Sequence, residues 1–439
     1  MADLVIAERR DLVNIADAIR SKAGITDALT LGQMPNAISE IGSGSSGSSG
    51  NTPASKKDVN FYDYDGTLLH SYTAAEAQAL TELPPLPEQA GLICQGWNWS
   101  LEDIKAHNRA VDVGAMYITD DGTTRIYITL QEGKTSPMLG CCPNGTVTVD
   151  WGDGTTPDTL TGTSTTSDVK WTPTHNYAAS GDYIIKLTIK GSCGIVGATS
   201  STGGSYILRY SSGSNNNNIV YANSIRKIEI GKNITIGSSA FYGCYSLECI
   251  AIPNSITKFG QYTFQTCYSL TSIIIPNGVT GLTSNLFHSC SSLKMASIPN
   301  SVTSISNYTF YSCSSLTSIV VPNSVTRLNQ AFEYSNALNS IVLPEGLTRI
   351  EGEAFYSCKS LTVFYIPSGV TFLYTTAFGD CVNLVFIDFA KHTTIPTLQT
   401  QSGFSGIPSG CQIRVPAALY DEWIAATNWA NLASQIVAV

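Results

Sequence analysis

The sequence predicts a mostly β, multidomain protein organised around a solenoid, and three observations predict it. A phenylalanine recurs at Phe241, Phe264, Phe287, Phe310, Phe332, Phe355 and Phe378, with spacings of 23, 23, 23, 22, 23 and 23 residues. Each is followed six residues later by a leucine, from Leu247 to Leu384, with a cysteine between them in six copies and Ser335 in the seventh. Charged residues make up only 13% of the chain, about half the usual share, and Gly, Ser, Thr and Asn take their place. A fixed period of this length marks units too small to bury their own apolar face, which must therefore stack.

One copy shows how a unit works. In "SLTSIVVPNSVTRL", Leu316, Ile319 and Val321 point inward, and Pro322 ends the pairing because it has no N–H to donate. Asn323 and Ser324 turn the chain, and Val325 and Leu328 return to the interior. The "A-F-x-x-C-x-S-L" corner sends a large Phe and a small Cys into one core layer. Strand spacing gives seven copies a length of roughly 35 Å. The pattern resembles the BspA-like, treponemal-type leucine-rich repeat, which implies a solenoid that performs no chemistry, in proteins of cell surfaces, adhesion or phage tails.

Taken in order, the chain divides into seven segments. Residues 1–42 carry two amphipathic stripes, Leu12, Ile15, Ala16, Ile19 and Ala23, then Met34, Ala37, Ile38 and Ile41. They predict a helical head for attachment or oligomerisation, because short helices are marginal alone. The phrase "IADAIRSKAGITDALTLGQMPNAISEI" resembles a module common in phage tail proteins. A Gly/Ser linker occupies 43–55. Residues 56–135 read as a small α+β connector, with Asp65-Gly66 and Asp121-Gly122 as hairpin turns and Thr73-x-x-Glu76 and Ser100-x-x-Asp103 opening two helices, against which Trp97 and Trp99 pack.

Residues 136–192 read as a β-sandwich. "VTVDWGDGTTP" and "THNYAASGDYIIKLTI" resemble the PKD-type immunoglobulin-like domain, although Trp151 directly precedes the glycine. A Gly/Asn-rich connector (193–224) leads into the repeats at 225–390, and 391–439 is predicted as an α/β C-terminal cap with a helix from Pro416 to Ala426.

Composition narrows the function. A net charge of −9 without Lys/Arg clusters speaks against nucleic acid. No run of 18 apolar residues is present, so membrane insertion is not expected. The N-terminus lacks the apolar segment of a signal peptide, so assembly in a bacterial cytoplasm is expected. The ladder cysteines read as buried free thiols.

Three motifs suggest chemistry. "FYDYDGTLL" matches the first motif of haloacid-dehalogenase-type phosphatases, with Asp63 as nucleophile and Asp65 as acid, but the preceding "KKDVNFY" alternates polar and apolar residues. "DWGDGTTPD" lacks the glutamate and helices of a calcium loop. The five histidines form no close pair, and His175 reads as a loop anchor. No enzyme, cofactor or metal is therefore expected.

What remains is the repeat surface. Tyr242, Tyr245, Gln265, Tyr268, His288, Tyr311 and Tyr356 line the Phe corner, and Ile274, Val320, Val342 and Tyr365 point outward from the strands. Tyr among Ser and Asn suits adaptable binding, because it offers area at low entropic cost. The resulting expectation is a phage tail fibre or receptor-binding protein of the virion. Its repeats would bind a bacterial surface glycan or glycoprotein, and its head would join other tail proteins, with a homotrimer favoured. A BspA-like bacterial surface adhesin is the alternative.

Overall fold

The repeat closes on itself because each rung reuses the same two pairings. In the computed structural model, residues 58–107, 110–166, 169–196, 207–210 and 223–439 are described. The predicted head and linker, and most of the 193–224 connector, lie outside them. One row of short strands follows the leucines, among them Ser272–Ile274 parallel to Met295–Ser297, Ser318–Val320 to Ser340–Val342, and Val363–Tyr365 to Phe386–Asp388. A second parallel row runs from Gly281–Leu282 to Thr397–Leu398. Between the rows a proline ends the strand, and its carbonyl accepts the turn bond. Val325 N–H donates to Pro322 at 3.1 Å and Val370 N–H to Pro367 at 3.0 Å.

The corner holds the large side chains. Each Phe from Phe264 to Phe378 sits between two non-glycine residues of positive φ, such as Tyr262 and Thr266, both at 61°. That conformation is unfavourable for side chains. It is offset by bonds to the next rung: Phe264 N–H to Leu286 O at 3.0 Å and Thr266 N–H to His288 O at 2.8 Å. The Phe rings stack at centroid spacings of 5.4 to 5.7 Å. Each ladder thiol from Cys267 onward donates to the Phe carbonyl of the preceding rung, at 3.1 to 3.3 Å. Ser335 makes the same bond to Phe310 O at 2.8 Å, which explains why serine fits there. All 12 cysteines are free, and burial pushes Cys244 and Cys381 up to about 12.

Both ends differ from the segments read in the sequence. At the start, β1 (Val59–Tyr62) pairs with β2 (Leu68–Tyr72) around the Asp65-Gly66 turn. Together with β3 (Leu92–Trp97) and β4 (Val111–Thr119) they form a sheet in the order β2-β1-β4-β3. Asp121-Gly122 makes a turn but no hairpin. The next strand, β5 (Thr124–Leu130), leaves that sheet for another built on β6 (Pro137–Asp150) and β7 (Gly181–Ile195). The reason is a sheet junction: β5 also pairs antiparallel with the first repeat strand, Ile225–Glu229, which pairs parallel with Cys249–Ala251. Backbone bonding thus runs unbroken from this sheet into the solenoid.

At the far end the stack outlasts its period. Phe404 stands 26 residues after Phe378, yet it stacks on it at 5.7 Å. Gln412–Val415 and Ile436–Ala438 extend the strand row. The predicted helix is divided into a 3-10 turn, Ala417–Leu419, and an α-helix, Tyr420–Ala425. Among the described residues no helix is long and apolar enough to cross a membrane.

Candidate functional site

The α+β module decides which part of the repeat surface is open. Its core of Phe61, Trp97, Trp99, Val111, Val113 and Met116 includes Ala251, Ile274 and Met295 from the strands of the early rungs. A Cβ on Gly114 would overlap the Ile274 side chain. Asn98 locks the contact: its amide donates to Ile275 O at 2.9 Å and Ser297 Oγ at 2.9 Å, and its carbonyl oxygen accepts from Gly114 N–H at 2.7 Å. Ser272 Oγ donates to Tyr64 O at 3.0 Å. Ile274, expected to face outward, does so but lies beneath this module.

Further along, the same face opens by degrees. Val320 is buried and Val342 half-buried, while Tyr365 is 64% exposed. Strand register sets Tyr365 beside Asp388, and Asp388 beside Arg414. Tyr365 meets Phe386 edge-to-face at 5.9 Å, and the Arg414 guanidinium lies 3.7 Å from the centre of that ring. A cleft of about 530 Å³ opens here between Val342, Tyr365, Pro367, Asp388, Lys391 and Ala110 of the module. Of the residues predicted for binding, only Tyr365 lies in it. Phe386 and Asp388 were missed although Asp388 holds the same repeat position as Tyr365, and Lys391 and Arg414 were missed because they lie beyond the regular period.

The predicted corner residues form a separate ridge. Tyr245 stacks on Tyr268 at 4.8 Å, and His288 on Tyr311 at 4.4 Å. Tyr311, Tyr334 and Tyr356 continue edge-to-face at 5.3 and 5.5 Å. Tyr242 and Gln265 are half-buried, two rungs and one rung before His288 respectively. Burial lowers His288, which favours neutral imidazole. Tyr356 O–H donates to Asp380 at 2.7 Å, and that carboxylate pushes it up to about 12. Burial, and then Glu353, push Glu333 up to about 7. Tyr308, Glu333 and Tyr334 also belong to this ridge, and their positions relative to Phe310 and Phe332 could have revealed them.

The tempting motifs resolve differently. The strand before Asp63 is buried at every residue and lies parallel to Val111–Gly114, so the alternation read from the sequence does not describe it. Asp63 accepts from Gln89 Nε2 at 2.5 Å and from Tyr64 N–H at 2.8 Å, while Asp65 accepts from Thr67 N–H. Asp120 and Asp121 pair with Arg125 at 2.6 and 3.0 Å. His175 stacks on Trp151 at 4.5 Å and bonds Asp153 at 2.8 Å, holding the loop. Among the described residues no three His, Cys, Asp or Glu side chains converge to hold a metal.

Stacked rungs with an inward leucine at a fixed position in each define a leucine-rich-repeat solenoid. Residues 215–331 and 327–417 match the model of the BspA type leucine rich repeat region, in six copies, and the repeats are of that type. Three solved structures show the range of likeness. The leucine-rich repeat protein TpLRR of T. pallidum is 23% identical, with 41% of this chain and 73% of that one covered and a TM-score of 0.31. A leucine-rich repeat protein from Bacteroides ovatus is 18% identical over 44% and 66% of the two chains, TM-score 0.33. The pneumococcal vaccine antigen PcpA is 17% identical over 49% and 68%, TM-score 0.32. No curated protein matches the chain.

Proposed function

We propose that this chain is a non-catalytic attachment protein that binds a bacterial surface glycan or glycoprotein through its repeat array. The observation that carries the reading is the divided strand face, sheltered by the module over early rungs and open over later ones around Tyr365. An exposed aromatic beside Asp388, Lys391 and Arg414 suits a sugar, since rings cover C–H faces while polar groups meet hydroxyls. The Tyr245–Tyr268 pair offers a second platform of the same kind.

The carrier we favour is a phage tail fibre. In it, residues 1–42 join other virion proteins and trimerise, and the segment around 136–192 acts as a PKD-like spacer. A bacterial surface adhesin is the second reading, favoured by the BspA type of the repeats. The test is attachment of the purified full chain to intact bacteria. Tyr365→Ala is expected to reduce attachment at least tenfold without changing the melting temperature. Attachment is expected to vary little between low and high salt, because screening acts on charges. Retained attachment in that variant, with loss in Tyr245→Ala/Tyr268→Ala, moves the site to the corner. Retention in both variants overturns the proposal.

A further inference from the structure

The fifth rung departs from its own repeat at three consecutive residues. After Phe332 it carries Glu333 where neighbouring rungs carry Tyr311 and Tyr356, and Tyr334 where they carry Ser312 and Ser357. Ser335 then replaces the cysteine and keeps the ladder bond, so the core does not account for the other two changes. Glu333 is 8% exposed, and among the described residues no donor or cation is bonded to its carboxylate. A carboxylate on a residue this buried, with no protein partner among the described residues and only limited access to water, is costly and demands a reason.

Its surroundings supply one. Tyr334 stands edge-to-face between Tyr311, at 5.3 Å and 72°, and Tyr356, at 5.5 Å and 82°, so ring faces and edges alternate across this corner. Negative charge lies on the following rungs. Glu353 accepts from Gln330 at 2.8 Å and Asp380 from Tyr356 at 2.7 Å, and neither is in an ion pair with Lys or Arg among the described residues. Aromatic rings near a partly shielded carboxylate favour a soft organic cation, which keeps its charge while losing water cheaply. A hard metal ion would need converging oxygens, which are not assembled here.

We propose that Glu333, with Tyr311, Tyr334 and Tyr356, forms a site for an organic ammonium group carried by a ligand. This site lies on the corner and does not depend on the strand-face reading. The test is titration of the full chain with choline and with 3,3-dimethylbutan-1-ol, in which carbon replaces the charged nitrogen, followed by saturation-transfer NMR. Choline is expected to bind at least tenfold more tightly than the uncharged analogue. Glu333→Gln is expected to remove that preference. Tyr334→Ser, which restores the residue type of neighbouring rungs, is expected to weaken choline binding at least fivefold with an unchanged melting temperature. Parallel titrations with glucosamine and Nα-acetyl-lysine amide distinguish a sugar-borne from a protein-borne amine, and saturable binding of either supports the site. Equal binding of the two isosteres, an undiminished preference in Glu333→Gln, or no saturable binding of any amine overturns it. Each of those results leaves attachment through Tyr365 untouched.

Discussion

Two columns run the length of the solenoid, one residue apart in sequence, and they obey opposite rules. The inner column is phenylalanine at every rung from Phe241 to Phe404, with neighbouring rings within 26° of parallel. The column beside it reads Tyr242, Gln265, His288, Tyr311, Glu333, Tyr356 and Gly379. An interior packed like a crystal admits one shape per layer, so every change there is felt by both neighbours. The outer column meets water on one side and can vary by rung without disturbing the stack. A regular array therefore records its fold in what repeats and its specificity in what does not.

That contrast can be broken most directly from inside. Phe310→Ala leaves a ring-sized cavity between two stacked rings and is expected to cost about 3–5 kcal/mol by denaturant unfolding, against less than about 0.5 kcal/mol for Tyr268→Ala outside. Comparable losses at the two sites would abolish the distinction. A smaller effect separates the thiol's shape from its bond. Cys290→Ser is expected to stay within about 1 kcal/mol of the parent because Ser335 already serves in that place, whereas Cys290→Val, which cannot donate, is expected to lose more. Valine matching serine would show that the ladder bond contributes nothing.

The smallest effect sharpens the outer column and depends on pH. Glu333 is raised to about 7 in the folded chain, so the folded state holds a proton that the unfolded state has released. Stability should then fall as pH rises from about 4.5 to 7, with the full penalty above 7. Glu333→Gln should therefore stabilise by about 1 kcal/mol at pH 8, a value reduced because water reaches the site, and change nothing at pH 4. An equal gain at both pH values would mean that the carboxylate's charge is not the cause.

Much of this was legible because each rung contacts only its neighbours. The Phe, Leu and Cys spacings alone predicted which side chains are buried, and the capping box at Thr73 and Glu76 forms as read. What was not legible arises where distant segments meet. Nothing near Asn98 announces a partner at Ser297, 199 residues away, so the sheltering of Ile274 could not be foreseen. Residues 124–130 read as the module's last strand because the preceding Asp-Gly suggested a hairpin, yet pairing with Ile225–Glu229 drew them elsewhere. Tyr365 was singled out for its exposure, but the cleft beside it needs Ala110 from the module.

The same long reach has a consequence in time. The module's apolar side, Val111, Val113 and Met116 among it, is completed by rungs that leave the ribosome some 200 residues after Asn98. At ordinary synthesis rates that interval is roughly 10–40 s. For that period the nascent chain carries an uncovered apolar sheet, and the delay ends only when the third rung folds back onto it. Slowing translation between residues 120 and 300 should therefore raise aggregation of the nascent protein, while slowing it after residue 330 should not.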